Sequence, residues 1–99
     1  MATTIVRYQA KPDRADGNQR LIEAVFAELE ETQPDGFTYK VFRLADGVSF
    51  IHVFIEHDDV DQPQTLDSVP AFQAFVADIA DRTQAPPVAM GATVVGGYC

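Results

Sequence analysis

The stretch FTYKVFRLADGVSFIHVFIEH, residues Phe37 to His57, decides the fold, because it holds two runs typical of β-strands joined by Ala45-Asp46-Gly47. A hairpin with one face in water alternates apolar and polar side chains along each strand. In the second run, apolar residues occupy both parities: Val48, Phe50 and Phe54 on one, and Ile51, Val53 and Ile55 on the other. The sequence therefore predicts a β-hairpin that is covered on both faces.

The register of this hairpin decides which polar side chains share a face. With a two-residue turn at Asp46-Gly47, the commonest hairpin signal, Tyr39, Arg43 and His52 lie on one face. With a three-residue loop, Tyr39 and Arg43 lie instead on the face of His57, because a shift by one residue moves every side chain to the opposite face. Tyr39 and Arg43 stay together in both registers, and only the histidine changes.

Length, composition and charge limit the classes of protein. The 99 residues suit a single domain, residues 1–99, and 46% hydrophobic with 22% charged residues is an ordinary globular composition. The net charge of −8 argues against nucleic acid and anionic membranes as partners. No apolar run approaches the ~20 residues that span a bilayer. The lone cysteine, Cys99, cannot form an intramolecular disulfide, and the N-terminus shows no targeting pattern, so we expect a cytoplasmic protein.

The first part of the chain predicts a strand and an amphipathic helix. Thr3 to Ala10 favours a strand. Asp16 and Gln19 have the spacing of a capping box at a helix start, and Pro34-Asp35-Gly36 ends the helix. Its apolar stripe, interpreted as core, consists of Leu21, Ile22, Val25, Phe26 and Leu29.

A second helix and a last strand are predicted after an acidic loop, Asp58 to Leu66. The helix begins near Asp67-Ser68, has Pro70 in its first turn, and ends at Ala85-Pro86-Pro87. Its predicted buried stripe is Phe72, Phe75, Val76 and Ile79, with Asp78, Asp81 and Arg82 outside. The last strand is predicted from Val88 to Tyr98.

This order of elements predicts an α+β, ferredoxin-like βαββαβ fold. Right-handed crossovers place the strands in a four-stranded antiparallel sheet with two helices on one face. The open face of such a sheet presents roughly 300 Å² before side-chain relief is counted. Monomers rarely leave an apolar patch of that size exposed. We therefore predict a homodimer in which the open sheet faces meet.

Three segments carry a resemblance to a known family. They are Tyr8-Gln9-Ala10-Lys11-Pro12-Asp13, Phe54-Ile55-Glu56-His57-Asp58-Asp59 and Ser68-Val69-Pro70-Ala71-Phe72-Gln73-Ala74-Phe75. With these segments, the layout of the whole chain resembles the antibiotic biosynthesis monooxygenase (ABM) family of the dimeric α/β-barrel superfamily. The resemblance implies one ABM-like domain, a dimeric α/β barrel, and a pocket between each sheet and its helices.

The same resemblance implies a range of functions. Some members oxidise aromatic polyketides without metal or flavin, some degrade haem, and many have no known activity. For this chain it implies a small apolar or aromatic ligand and a cofactor-independent monooxygenase activity; the alternative is a non-catalytic ligand-binding or dimerisation domain. The family often has a tryptophan at the end of the third strand, where this chain has His57. It often has a histidine before the second helix, where this chain has Leu66 or its neighbours.

Tyr39 and Arg43, with one of the two histidines, form the candidate site. An arginine would pair with an anionic ligand. The histidine would abstract a phenol proton near neutral pH, and a tyrosine would donate to the resulting oxyanion. His57, His52 and Tyr39 are therefore the candidate catalytic residues, and Arg43 and Tyr8 the candidate ligand-binding residues. The alternative is that these side chains only pack or reach solvent.

No metal site or cofactor motif is predicted. His52 and His57 are five residues apart, so on a regular strand they point to opposite faces. His57 among the carboxylates of the acidic loop lacks a metal-ligand spacing. The sequence has no glycine-rich phosphate loop and no serine elbow. We therefore expect neither a metal nor a cofactor.

Overall fold

The computed structural model describes residues 3–57 and 66–98, and it has the predicted order of elements. The elements are β1 (Thr3–Gln9), α1 (Ala15–Thr32), β2 (Phe37–Arg43), β3 (Ser49–Glu56), a 3-10 turn (Leu66–Ser68), α2 (Pro70–Ala77), α3 (Ile79–Arg82) and β4 (Val88–Ala92). The sheet order is β2-β3-β1-β4, and all three pairings are antiparallel. The helices pack on one face of this sheet, which confirms the ferredoxin-like plan.

The hairpin adopts the register of the two-residue turn, but its loop is longer. Tyr39 pairs with Phe54 and Arg43 with Phe50, as that register requires. Pairing closes earlier, however, where the Leu44 amide donates to the Ser49 carbonyl at 2.8 Å. The Asp46 carboxylate holds the loop between the strands. It accepts hydrogen bonds from the backbone amides of Val48, just before β3, and Ser49, the first residue of β3. The Asp46 side chain therefore holds this loop, together with one backbone hydrogen bond, from the Gly47 amide to the Leu44 carbonyl at 3.0 Å.

The core forms where α1 lies on the sheet. Val25 and Phe50 are both 1% exposed, and Ile22 and Phe75 are buried with them. The predicted capping box is wrong: α1 begins at Ala15, and no side chain caps it. Asp16 lies inside the first turn rather than before it, and its carboxylate accepts from Arg43 instead of capping the helix.

Four predictions about the second half of the chain are corrected by the structure. Val76, predicted to be buried, is 41% exposed. The single helix predicted to end at Ala85-Pro86-Pro87 is two helices, α2 and α3, and the second ends at Arg82. Arg82 is 3% exposed rather than outside, because it lies three residues after Ile79 and seven after Phe75, on the buried stripe itself. The last strand ends at Ala92, not at Tyr98. Ala92 pairs with Thr3, the first residue of β1, so the chain beyond it finds no described partner strand.

The sheet face opposite the helices carries a second set of apolar side chains. Alternation along the strands puts Ile5, Ile51, Val53 and Ile55 on this open face, and each is partly exposed. Phe42 and Met90 at its flanks are 51% and 62% exposed. The side chains of β3 are thus apolar at both odd and even positions, because one face of the strand points to the helices and the other lies on the open face of the sheet. Within the described residues, no helix is long and apolar enough to cross a bilayer.

A carboxylate on α1 holds the start of α2. The Glu28 Oε2 atom accepts the Ala71 amide at 3.2 Å, in the first turn of α2, where a negative charge also favours the helix dipole. We expect Glu28→Gln to lower the free energy of unfolding by about 1 kcal/mol. Urea unfolding checks this, with Glu31→Gln on the exposed side of α1 as the matched control. Equal midpoints for the two variants would show that the contact contributes nothing.

Candidate ligand-binding cavity

A cavity of about 630 Å³ lies between the sheet and the helices α2 and α3. Its volume is in the range of sites for drug-sized molecules. Most of its wall is apolar, formed by Val6, Phe54, Leu66, Phe72, Phe75, Val76, Ile79 and Pro87. Four polar side chains also line the cavity: Thr4 and Tyr8 from β1, Tyr39 from β2 and His52 from β3. A molecule bound here would be mostly apolar, with its polar groups directed at the sheet.

His52 lies at the centre of the polar wall because β3 runs between the strands that carry the two tyrosines. The Tyr39 hydroxyl is 2.7 Å from Nδ1 of His52, and the Tyr8 hydroxyl is 2.8 Å from Nε2. His52 is 6% exposed, and its ring also packs on Phe75 with centroids 5.4 Å apart. Both ring nitrogens are therefore engaged, and the ring cannot turn without losing two hydrogen bonds.

Two buried polar residues that the sequence analysis did not single out continue this chain of contacts. Asn18 on α1 donates to the Tyr8 hydroxyl at 3.0 Å, and Nε of Arg82 donates to Oδ1 of Asn18 at 3.0 Å. The Arg82 guanidinium also donates to the Phe75 carbonyl and lies 5.1 Å from the centre of that ring. We call the five linked residues the polar relay: Arg82, Asn18, Tyr8, His52 and Tyr39.

The periodicity of the helices could have revealed both residues. Asn18 lies four residues before Ile22 and seven before Val25, which places it on the buried stripe of α1 and explains its exposure of 0%. A polar residue at a stripe position needs a partner inside the fold, since an unpaired buried polar group is costly. Such a position is the signal that a polar network exists, and α3 repeats it at Arg82.

Burial disfavours the charged forms of the three titratable side chains of the wall. It raises the pKa of Tyr8 to about 12, although the Asn18 hydrogen bond and the Arg82 charge act in the opposite direction. It also raises the pKa of Tyr39 far above the ordinary phenol value. For His52, burial lowers the pKa to about 4. The cavity thus offers two un-ionised hydroxyls and a neutral imidazole.

The structure brings together three of the five predicted site residues. Tyr39, His52 and Tyr8 meet in the cavity wall. Arg43 lies outside it, where it donates to the Gly47 carbonyl and to Asp16 and so ties the hairpin loop to α1. His57 lies on the opposite side of β3, with Nε2 2.7 Å from the Thr38 hydroxyl.

The residues described contain no group of three histidine, cysteine or acidic side chains placed to hold a metal ion. Residues 58–65 of the acidic loop next to His57 and the terminal Cys99 lie outside the described residues. The wall residues of the cavity likewise include no carboxylate and no thiol.

Comparison with known proteins gives matches among solved structures. No protein-family model and no curated protein matches the chain. Rv0793 from Mycobacterium tuberculosis is 17% identical with a TM-score of 0.70, over 99% of this chain and 98% of that one. An antibiotic biosynthesis monooxygenase is 17% identical with a TM-score of 0.71, over 97% and 100%. SnoaB, a cofactor-independent oxygenase from Streptomyces nogalater, is 12% identical with a TM-score of 0.66, over 97% and 94%.

These likenesses extend over nearly the whole of each chain, while the identities are low. They therefore bear on the backbone and its topology and not on individual side chains. The chain has the fold of the antibiotic biosynthesis monooxygenases, as its sequence resemblance implied.

Proposed function

We propose that this protein binds a small aromatic ligand with an oxygen substituent and oxidises it as a cofactor-independent monooxygenase. The observation that carries the proposal is the pair of tyrosine hydroxyls held by His52 in the wall of an apolar cavity of about 630 Å³. A flat aromatic body fits the apolar walls, and its oxygen would meet a tyrosine hydroxyl. The shared fold with a cofactor-independent oxygenase supports the same reading.

The proposed reaction needs no external reductant. An aromatic compound with a methylene group conjugated with a carbonyl through an aromatic ring loses a proton to form an enolate, and the enolate carbon transfers electrons to O₂ and bonds to it. The resulting peroxide loses water and leaves a ketone. One oxygen atom ends in the product and the other in water, so the substrate supplies all the electrons.

The residues of the cavity would favour the enolate. A hydroxyl aimed at the developing oxyanion in a dry cavity stabilises it more than water would. His52 acts here by orienting the hydroxyls: both of its nitrogens already bond to tyrosines, and its pKa of about 4 makes it a weak base. The substrate proton then leaves to water at the mouth of the cavity.

The test is oxygen uptake with an anthrone as the substrate, after treatment of the protein with a metal chelator. We expect equimolar consumption of O₂ and formation of the quinone, well above the rate without protein. Tyr39→Phe should lower the rate by about tenfold or more, because it removes a donor to the oxyanion. Tyr98→Phe, at a fully exposed position, is the control. Uptake that does not exceed the protein-free rate would refute the oxygenase proposal.

A non-catalytic ligand-binding function is the second candidate. The observation that favours it is the absence of a free base in the described cavity wall, since both His52 nitrogens are occupied. In that case the anthrone would bind and quench the tyrosine fluorescence of the protein. It would then be recovered unchanged after incubation under air. Binding without turnover therefore decides for this candidate.

We also propose that the protein is a homodimer through the open sheet face. The apolar side chains of that face, Ile5, Ile51, Val53 and Ile55, would be buried against the same residues of a second copy. A two-fold axis makes such a surface self-complementary, and apolar area of this size is rarely left in water.

Val53→Lys should therefore produce a monomer. An ammonium group buried without a partner costs several kcal/mol, so the dimer dissociation constant should rise by about a hundredfold or more. Sedimentation equilibrium measures this, with Ala24→Lys on the exposed side of α1 as the control for the added charge. A wild-type protein that sediments as a monomer would rule out the dimer.

A further inference from the structure

Arg82, at one end of the polar relay, can only donate hydrogen bonds. A guanidinium has no acceptor atom, so the atom of Asn18 that faces Arg82 at 3.0 Å must be its carbonyl oxygen. This contact fixes the orientation of the amide, and the Nδ2 group then points at Tyr8. Because Asn18 is 0% exposed, water does not compete for either contact.

The direction then passes from residue to residue. The Tyr8 oxygen accepts from Asn18, and its own hydrogen has one described acceptor within reach, Nε2 of His52 at 2.8 Å. The reverse assignment would leave a hydroxyl hydrogen unpaired on a side chain that is only 7% exposed.

The last step reaches the cavity. A neutral imidazole carries one hydrogen, and if Nε2 accepts, that hydrogen is on Nδ1. It donates to the Tyr39 oxygen at 2.7 Å. The hydrogen of Tyr39 has no acceptor among the described residues, and Tyr39 is partly exposed in the cavity wall. The Tyr39 hydroxyl is therefore available to donate a hydrogen bond to a ligand.

We propose that the polar relay runs in one direction, from Arg82 to Tyr39, and so makes the cavity select ligands that present an acceptor oxygen. A ketone, quinone or enolate oxygen accepts a hydrogen bond from the Tyr39 hydroxyl, whereas a hydrocarbon of the same shape leaves that hydroxyl unpaired. The inference rests on the proposed binding of an aromatic ligand and names its chemical class. Asn18 and Arg82 are positioning residues, since they reach the ligand only through the other members.

The direction of the hydrogen bonds in the polar relay should reverse when Asn18 is replaced by a side chain that can only accept. In Asn18→Asp, the carboxylate accepts from Arg82 and also from the Tyr8 hydroxyl. Nε2 of His52 then carries the imidazole hydrogen and donates to Tyr8. Nδ1 accepts from Tyr39, and the Tyr39 oxygen faces the cavity as an acceptor. The variant has nearly the same shape as wild type, and its new charge lies beside the Arg82 guanidinium.

The experiment has two readouts that a merely structural role would not move. Nitrogen-15 NMR of the imidazole reports the tautomer of His52: Nδ1–H is expected in wild type and Nε2–H in Asn18→Asp. Calorimetry with three matched probes, a methyl naphthyl ketone, naphthol and ethylnaphthalene, reports the ligand preference. Wild type should bind the ketone about tenfold or more tightly than the hydrocarbon. Asn18→Asp should lose that preference and bind naphthol best.

Two control variants separate the relay from charge and folding. Gln84→Glu adds the same charge at an exposed position outside the cavity and should behave as wild type. Tyr39→Phe removes the terminal donor, so it should bind the ketone and the hydrocarbon equally well, and it provides the test if Asn18→Asp does not fold.

The outcomes are distinguishable from those of the proposed function. A wild-type His52 in the Nε2–H form overturns the direction of the relay. Equal binding of ketone and hydrocarbon by wild type overturns the selectivity, while the proposed aromatic binding stands. If none of the three probes binds, the proposed function and the inference that rests on it both fail.

Discussion

Replacing His52 by alanine is expected to lower the free energy of unfolding by about 3–5 kcal/mol. The change removes a side chain that is 6% exposed and contacts the rings of Tyr8, Tyr39 and Phe75. It also removes the His52 hydrogen bonds of the Tyr8 and Tyr39 hydroxyls, which costs about 1–3 kcal/mol each when no water replaces the imidazole. Ligand binding should be lost as well, because the wall of the cavity is no longer held.

His57 provides the matched comparison. It lies on the other side of β3 and is partly exposed, and among residues 3–57 and 66–98 its side chain makes one hydrogen bond, to Thr38. His57→Ala should therefore cost about 1 kcal/mol or less and leave ligand binding unchanged. Urea unfolding at fixed protein concentration and pH 7.5 compares the two variants, since dimerisation would make the midpoint depend on concentration. Equal losses would contradict the placement of His52 as the buried member of the pair.

Acidification should destabilise the folded protein through the same imidazole. Burial lowers the pKa of His52 from its ordinary value of 6.5 to about 4, so folding favours the neutral ring. The contribution is complete above pH 6.5 and is lost as the pH falls from there to about 4. Over that window it amounts to about 3 kcal/mol. Among the residues that the structure describes, Tyr8, Tyr39 and Phe75 face the ring, and none of them titrates in this range.

The difference between two stability profiles isolates this effect from the many carboxylates of an acidic chain. Wild type and His52→Gln are unfolded in urea at intervals from pH 4 to pH 7.5. The glutamine variant lacks the titrating group, so its stability should change less with pH, and the gap between the curves should close toward pH 4. Parallel curves over the whole window would mean that His52 has an ordinary pKa in the folded protein.

The relay shows why the candidate site was only half predictable. The pattern of the hairpin placed Tyr39 with a histidine in both registers, but the choice between His52 and His57 depended on one residue of register. The structure has the register that places His52 beside Tyr39, and the Asp46 carboxylate accepts two loop amides in that register. Arg43 was expected to share the face of Tyr39, and it does, yet its length lets it reach Gly47 and Asp16 instead of the cavity.

The sequence by itself determined the order of the elements, the sheet of four antiparallel strands and the apolar stripe of α1, because these depend on periodicities of 2 and 3.6 residues that are local. Only the tertiary structure decided that Arg82 is inside, that β4 stops at Ala92, and that Asn18, Tyr8 and His52 join across three elements. A buried charge or amide is stable only if a distant partner compensates its lost hydration. That partner is specified by packing between elements, which no local pattern contains.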